Sequence, residues 1–318
     1  MPPRQARPPD PDPGHQAPAP LPDAVEPLES GEVLRVTCWG TRGSIPSPGP
    51  ATARFGGNTP CLEVRDPQGR RYIFDAGTGI RRLGNALAGV DSDLDLDLFL
   101  THFHWDHIQG LPFFAPIHDA GTALRIHGAR QEGRDIEAIL RGQMSPVHFP
   151  VPYETLAAQL RFEHLSGGSW RDGGTEVAAY RVRHPADTYG YRIRAGGASV
   201  AYVPDNELVG GDYPVDGPEW YPGFVRFLDG VDVLFHDAMF TDEEYPGVEG
   251  WGHSTFRQAV QLAEDAGVAR LCFFHHAPDR SDAHLDRIED DIRADLQRRG
   301  SRLRVSAAAE GASLVVGS

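Results

Sequence analysis

The stretch THFHWDHIQG, residues 101–110, sets His102, His104, Asp106 and His107 almost side by side, directly after the alternating run DLDLDLFL of residues 93–100. A packed core excludes such residues unless they are paired or bound to a metal, because an unmatched buried polar group costs free energy. A solvated face would scatter them. The run before them turns wholly apolar at Leu98–Leu100, which predicts a strand entering the core with the histidines at its carboxyl end. Open α/β sheets place their chemistry at such ends. Asp93, Asp95 and Asp97 alternate with leucine and read as the solvated outer face of an edge strand.

His102 and His104 are two apart, so in an extended segment their imidazoles point to one side. Asp106 and His107 fall in the following turn and reach a second point, which makes two half-sites. Imidazole with carboxylate suits zinc and neighbouring first-row metals, whereas an oxygen-only set would have suggested magnesium or calcium. The completing ligands lie where other apolar strands end. His184 closes TEVAAYRVRH, Asp205 closes SVAYVPD, and His275 or His276 closes ARLCFFHH. This pattern predicts a pair of metals bridged by Asp205.

The rest of the chain reads as strands with interspersed helices. Residues 33–39 form a strand, followed by the Gly/Pro-rich loop of residues 40–60, whose length marks it as functional or mobile. CLEVRD and RYIFDAG, joined by the turn DPQGR, form a hairpin. Further strands fall at LRIHGA, YGYRIRA and VDVLFHDA. Helices are expected at EGRDIEAILRG, from Ser254 to Ala266 with Ser254 or Thr255 as cap, and from Asp282 with Ser281 as N-cap. Segment 111–165 is the least legible and is read as a rim limiting substrate size. Two strand-rich halves suggest stacked sheets with helices outside.

At 318 residues the chain can bury one large core, assigned to residues 31–318, while the proline-dominated residues 1–30 lack the apolar side chains to offset ordering and are expected to be a disordered tail. The tail has no continuous apolar h-region, and no membrane-length apolar run occurs, so a soluble cytoplasmic protein is expected. A formal net charge of −15 repels polyanions and argues against bulk nucleic-acid binding, though not against a small anionic substrate. Cys38, Cys61 and Cys272 read as buried small hydrophobes, and a homodimer is left open.

HFHWDH fits the His-x-His-x-Asp-His signature of the metallo-β-lactamase superfamily. GTRGS, FDAGTG, HPADTYGYRI, FHDAMFTDEEY, GWGHST and FFHHAPDRSD follow in an order that resembles its phosphodiesterase-like branch, which includes cyclic-phosphate phosphodiesterases and the tRNA 3′-processing ribonuclease. The resemblance implies a four-layer αββα sandwich of two mixed sheets with helices outside. It implies that His102, His104 and His184 hold one divalent metal and Asp106, His107 and His275 the other, with Asp205 and a hydroxide between. Zinc is the first choice of metal, manganese or iron being acceptable, and adjacent His276 competes with His275.

The resemblance further implies His253 of GWGHST as the proton donor, Asp237 as the residue orienting it, and Asp106 as a third catalytic residue. Asp75 would orient a ligand histidine. Arg42 of GTRGS and Asn58 of FGGNTP are candidate phosphate contacts. Trp105 and Trp251 border the site, as base-stacking or as packing residues. The implied activity is hydrolysis of a small phosphodiester such as a cyclic nucleotide. Thioester, lactone or β-lactam hydrolysis on the same metals is the alternative enzyme, and a non-catalytic metal-binding sensor the alternative class.

Overall fold

The computed structural model describes Leu28 and residues 31–88, 93–165 and 167–317, and the proline-rich tail falls outside the described residues. In chain order its elements are β1 (Leu34–Gly40), β2 (Cys61–Arg65), β3 (Arg71–Phe74), α1 (Gly79–Leu87), β4 (Asp95–Phe99), α2 (Trp105–Ile108), β5 (Ala123–Gly128), α3 (Ile136–Gln143) and β6 (Gln159–His164). The second half holds β7 (Gly168–Asp172), β8 (Thr175–Arg181), β9 (Tyr189–Ala195), β10 (Ala198–Val203), α4 (Trp220–Leu228), β11 (Val233–Asp237), α5 (Phe256–Asp265), β12 (Arg270–Phe274), α6 (Asp282–Arg299), β13 (Arg304–Ala307) and β14 (Ser313–Val316). They form two seven-stranded sheets, ordered β14-β1-β2-β3-β4-β5-β6 and β13-β12-β11-β10-β9-β8-β7. Both are mixed: β3 to β6 and β10 to β13 run parallel, and the remaining pairs antiparallel.

Local chemistry explains several boundaries. The β2–β3 hairpin turns where Asp66 accepts hydrogen bonds from the backbone N–H groups of Gln68 and Arg70, an Asx-type turn with Gly69 at positive φ. Helix α5 opens with a reciprocal capping box between Thr255 and Gln258, which selects Thr255 over Ser254 as its cap. Helix α6 starts on Ser281 as expected and stops at left-handed Gly300.

Apolar side chains sort into three layers. Phe74, Phe99, Tyr191, Tyr202, Phe235 and Phe274 fill the space between the sheets. The outer face of the first sheet packs with Leu83 of α1 and Leu140 of α3 around Leu98. Phe224 of α4, Leu262 of α5 and Leu296 of α6 cover the other sheet around Phe273. The expected helix–sheet–sheet–helix sandwich is thus present. Cys38, Cys61 and Cys272 are free and buried within it, as their apolar surroundings indicated.

One expectation fails. β4 lies between β3 and β5, not at an edge, and although Asp95 is 59% exposed at its side chain, Asp97 is fully buried. Its side chain shares the inner face with Phe99, where it accepts from Arg125 Nε at 2.7 Å, His127 Nε2 at 2.9 Å and Arg70 Nη2 at 3.1 Å. Arg70 also pairs with Asp172 of β7, so the network ties one sheet to the other. Alternation of Asp with Leu is equally consistent with water or with a layer of matched cations.

Burial opposes the charge of Asp97, but hydrogen bonds from His127 and Arg125 outweigh it and hold the carboxyl at about 2. A folded-state value below the unfolded one adds stability above about pH 4 and forfeits it as pH falls through about 2. Asp97→Asn should therefore cost about 2 kcal/mol at neutral pH in urea unfolding, with the difference from wild type closing between about pH 4 and 2. A difference that persists at the acid end would assign the cost to packing.

Candidate metal centre

The carboxyl ends of β4, β10, β11 and β12 open on one edge of the sandwich, and the segments leaving them carry the polar cluster. Residues after β4 supply His102, His104, Asp106 and His107. His184 follows β8, Asp205 follows β10, Asp237 ends β11 and His275 follows β12. Residues far apart in the chain therefore meet because parallel strands deliver them side by side.

Among the described residues, four groups each bring their potential ligand atoms within 4.8 Å of one another: His102, His104 and His184; Asp106, His107 and His275; His102, His107 and Asp205; and Asp205, Asp237, His253 and His275. The first two are the half-sites read from spacing and resemblance, and Asp205 belongs to both others. His184 Nε2 sits 3.1 Å from His104 Nδ1. His275 Nε2 lies 3.1 Å from Asp106 Oδ2 and 3.2 Å from Asp205 Oδ1. His276, by contrast, turns its Nε2 to the Ala308 carbonyl at 2.8 Å, so only His275 joins the cluster.

Three of the rings are set by partners outside the cluster, whereas His275 Nδ1 is buried without a hydrogen-bond partner. His107 Nδ1 donates to Asp75 Oδ2 at 2.8 Å, and Asp75 is in turn fixed by Thr101 and by the Tyr202 hydroxyl. His102 Nδ1 lies 3.1 Å from Thr101 Oγ1, and His184 Nδ1 donates to the Gly252 carbonyl at 3.0 Å. With the proton on the outer nitrogen, the other nitrogen turns a lone pair inward. His102 Nε2, His107 Nε2 and Asp205 Oδ2 are buried without a hydrogen-bond partner, although His107 Nε2 and Asp205 Oδ2 are only 2.8 Å apart. Two bare acceptors that close repel unless a proton or a metal ion lies between them, and the convergence of imidazoles and carboxylates at this point fits a metal.

Protonation divides the rings: burial opposes charge on His107, but Asp106, Asp205 and Asp75 outweigh it and raise it well above the imidazole range, so that a bound cation would take the place of its Nε2 proton. Burial holds His102 and His104 below the usual imidazole range and lowers His184 to about 3, leaving these rings neutral, as metal ligation requires. Burial alone would raise Asp205 and Asp106, but the neighbouring histidines outweigh it and keep both carboxylates ionised. His253 differs. Burial disfavours its charge, yet Asp237, 2.7 Å from its Nδ1, together with Asp205 and Asp106 pushes it up to about 9.

The two expected phosphate contacts are occupied elsewhere. Arg42 is fully buried, and its guanidinium donates to the carbonyls of Gly56, Ala277 and Arg280, which clamps the long loop onto the segment after β12. The Asn58 amide donates to Glu310. The loop is accordingly pinned, and its contribution at the cluster is the Ser44 N–H, which donates to Asp106 Oδ2 at 2.8 Å. Trp105 and Trp251 are 77% and 63% exposed, which excludes the packing reading.

Sequence reasoning missed Glu207. It is fully buried and accepts from the hydroxyls of Tyr213 and Tyr245 and from the N–H groups of Gly250 and Gly252. It thereby fixes the loop whose Gly252 carbonyl orients His184 and whose next residue is His253. Its proximity to Asp205 in PDNE was visible, but three of its four partners, Tyr245, Gly250 and Gly252, lie about forty positions away, and no local pattern links them to it. Among the described residues no helix is long and apolar enough to cross a membrane.

Comparison with known proteins agrees with this geometry. Residues 70–276 match the family model for the β-lactamase superfamily domain. Ribonuclease BN of Cronobacter sakazakii is 27% identical over 305 residues, spanning 82% of this chain and 95% of that protein. The short form of human tRNase Z superposes with a TM-score of 0.61 at 20% identity, covering 89% of this chain and all of that one. A diphosphatase of the PhnP family superposes with a TM-score of 0.62 at 18% identity, over 90% of this chain and all of that one. With its sandwich, its clustered histidines and carboxylates and this match, the chain belongs to the β-lactamase superfamily, among that superfamily's metal-dependent hydrolases.

Proposed function

We propose that the protein is a dinuclear-metal phosphodiesterase acting on a small phosphodiester. In this reading His102, His104 and His184 hold one cation, Asp106, His107 and His275 hold the second, and Asp205 lies between them. Zinc suits the imidazole-rich set best, with manganese and iron also accepted by such ligands. Bound cations supply Lewis acidity and bring the pKa of water toward neutrality.

The observation that carries the proposal is the His253–Asp237 pair at the edge of the cluster. A site that only stored metal has no use for a protonated imidazole beside its carboxylates. Asp237 receives the Nδ1 proton and leaves Nε2 as the second proton-bearing atom, suited to protonate a departing alkoxide. A second anchor holds Asp237 itself, which accepts from the N–H groups of Asn206, Met239 and Ser254. The similarity to a ribonuclease and to a diphosphatase supports phosphorus rather than carbon as the reacting centre. The formal charge of −15 favours a short diester over a long polyanion.

His253→Ala should lower kcat by about 10²–10⁴ on a diester with an alkoxide leaving group, and by less on bis(p-nitrophenyl) phosphate, whose phenolate leaves without help. An equal loss on both would remove His253 from the proton-donor role. The wild-type protein should turn over such diesters but neither a thioester nor a precursor tRNA, which steady-state assays of each can check.

Gly252, at φ 90°, lies against His184: a Cβ there would sit 2.1 Å from Nδ1 of that ring. Gly252→Ala should therefore displace His184 and reduce bound metal from two equivalents to about one, read by elemental analysis of protein with an unchanged far-ultraviolet spectrum. Removing metal with a chelator should abolish turnover and lower the melting temperature, because the inward lone pairs then face one another uncompensated.

A further inference from the structure

Arg270 opens β12 and Arg304 opens β13, and the two stand in register on adjacent parallel strands. Paired strands run about 4.8 Å apart, so the two side chains leave the same face of the sheet next to each other. Like charges so placed destabilise a sheet unless something offsets them. Among the described residues neither arginine forms an ion pair or a side-chain hydrogen bond. Protection of a sheet edge accounts for Arg304, since β13 is the outer strand of its sheet and a charge there deters pairing with another chain. It does not account for Arg270, which is half-buried on a strand lying between β11 and β13.

Both arginines line a groove of about 470 Å³ between β13 and the last turns of α6, within the range of small-molecule sites. Arg293 closes it from the helix side, where its Nε and Nη2 each donate to the Val305 carbonyl at 3.2 Å and its guanidinium pairs with Glu289. No described residue lining the groove is acidic, on a chain with 45 acidic and 30 basic residues. A smaller recess of about 180 Å³ on the β14 side is lined by the same two arginines. Asp232 lines that recess too, but its carboxylate already accepts from the Ser199 N–H at 2.8 Å and hydroxyl at 3.0 Å.

We infer that Arg270 and Arg304 bind a small phosphate dianion, free or as a monoester, at the end of the sheet opposite the metal centre. Guanidinium forks match phosphate oxygens in pairs, and a dianion offsets both charges, whereas a single carboxylate leaves one unmatched. Leu296 and Leu303 add apolar surface for the organic part of a monoester. β12 carries Arg270 at its start and His275 just past its end, so about 16 Å of strand separates this site from the metal cluster. The inference does not depend on the phosphodiesterase reading.

Isothermal titration of the metal-loaded full chain with inorganic phosphate and with phenyl phosphate, at constant ionic strength, tests it. One bound equivalent should weaken about tenfold or more in Arg270→Gln and in Arg304→Gln, as expected when a charged hydrogen-bond donor is lost. Either variant is sufficient should the other fail to fold. Arg304→Lys, which keeps the charge but not the fork, should retain part of the affinity. Arg302→Gln, at an exposed arginine outside the groove lining, should bind as wild type does. Tighter binding of phenyl phosphate would identify a monoester as the occupant, and equal affinity free phosphate. Identical titrations of wild type and both lining variants would overturn the site, as would an equal loss in Arg302→Gln, which would assign the attraction to general charge.

Discussion

The site is organised around a crowding of lone pairs that a proton or a bound metal ion relieves. His107 Nε2 and Asp205 Oδ2, both buried and both short of a donor, stand 2.8 Å apart, and His102 Nε2 faces the same space. No apolar core tolerates such a meeting of lone pairs. It is maintained because several of the candidate ligands are held from behind. Asp75, Thr101 and Tyr202 fix the rings after β4, and the Gly252 carbonyl fixes His184. The aromatic layer between the sheets, with Phe74, Phe99 and Tyr202 in contact, keeps those supports rigid.

The same arrangement separates two kinds of histidine. His102 and His184, buried among other imidazoles, keep neutral rings suited to ligation, whereas Asp106, Asp205 and Asp75 raise His107. His253, whose nearest charged neighbours are carboxylates, keeps its proton. One edge of a sheet thus carries both cation-binding and proton-donating groups, set apart by neighbours alone. Glu207 serves both, since the loop it anchors presents the Gly252 carbonyl to one histidine and carries the other.

Much of this was legible in the sequence because period-two apolar runs ended in single polar residues. That rule singled out His184, Asp205 and the pair His275/His276, between which the resemblance preferred His275, and the ordered motifs paired His253 with Asp237. What failed had a common cause, namely charge read as exposure. Asp97 alternates with leucine as a surface residue would, yet Arg70, Arg125 and His127 converge on it from neighbouring strands. Arg42 resembles a phosphate contact but spends its donors on three carbonyls, two of them more than two hundred positions away. Glu207 carried no motif at all. Partners supplied by tertiary structure leave no local periodicity, so these three could be assigned only once the strands were in place.

The pairing of β1 with both β2 and β14 has a bearing on biogenesis. β1 leaves the ribosome long before β14 and must wait for it to cover one side, presenting unpaired N–H and C=O groups to any passing chain until then. His275, 169 positions beyond Asp106, also emerges late. The nascent polypeptide consequently carries a vulnerable edge and an incomplete polar cluster together, and both are closed by segments synthesised 169 or more residues later.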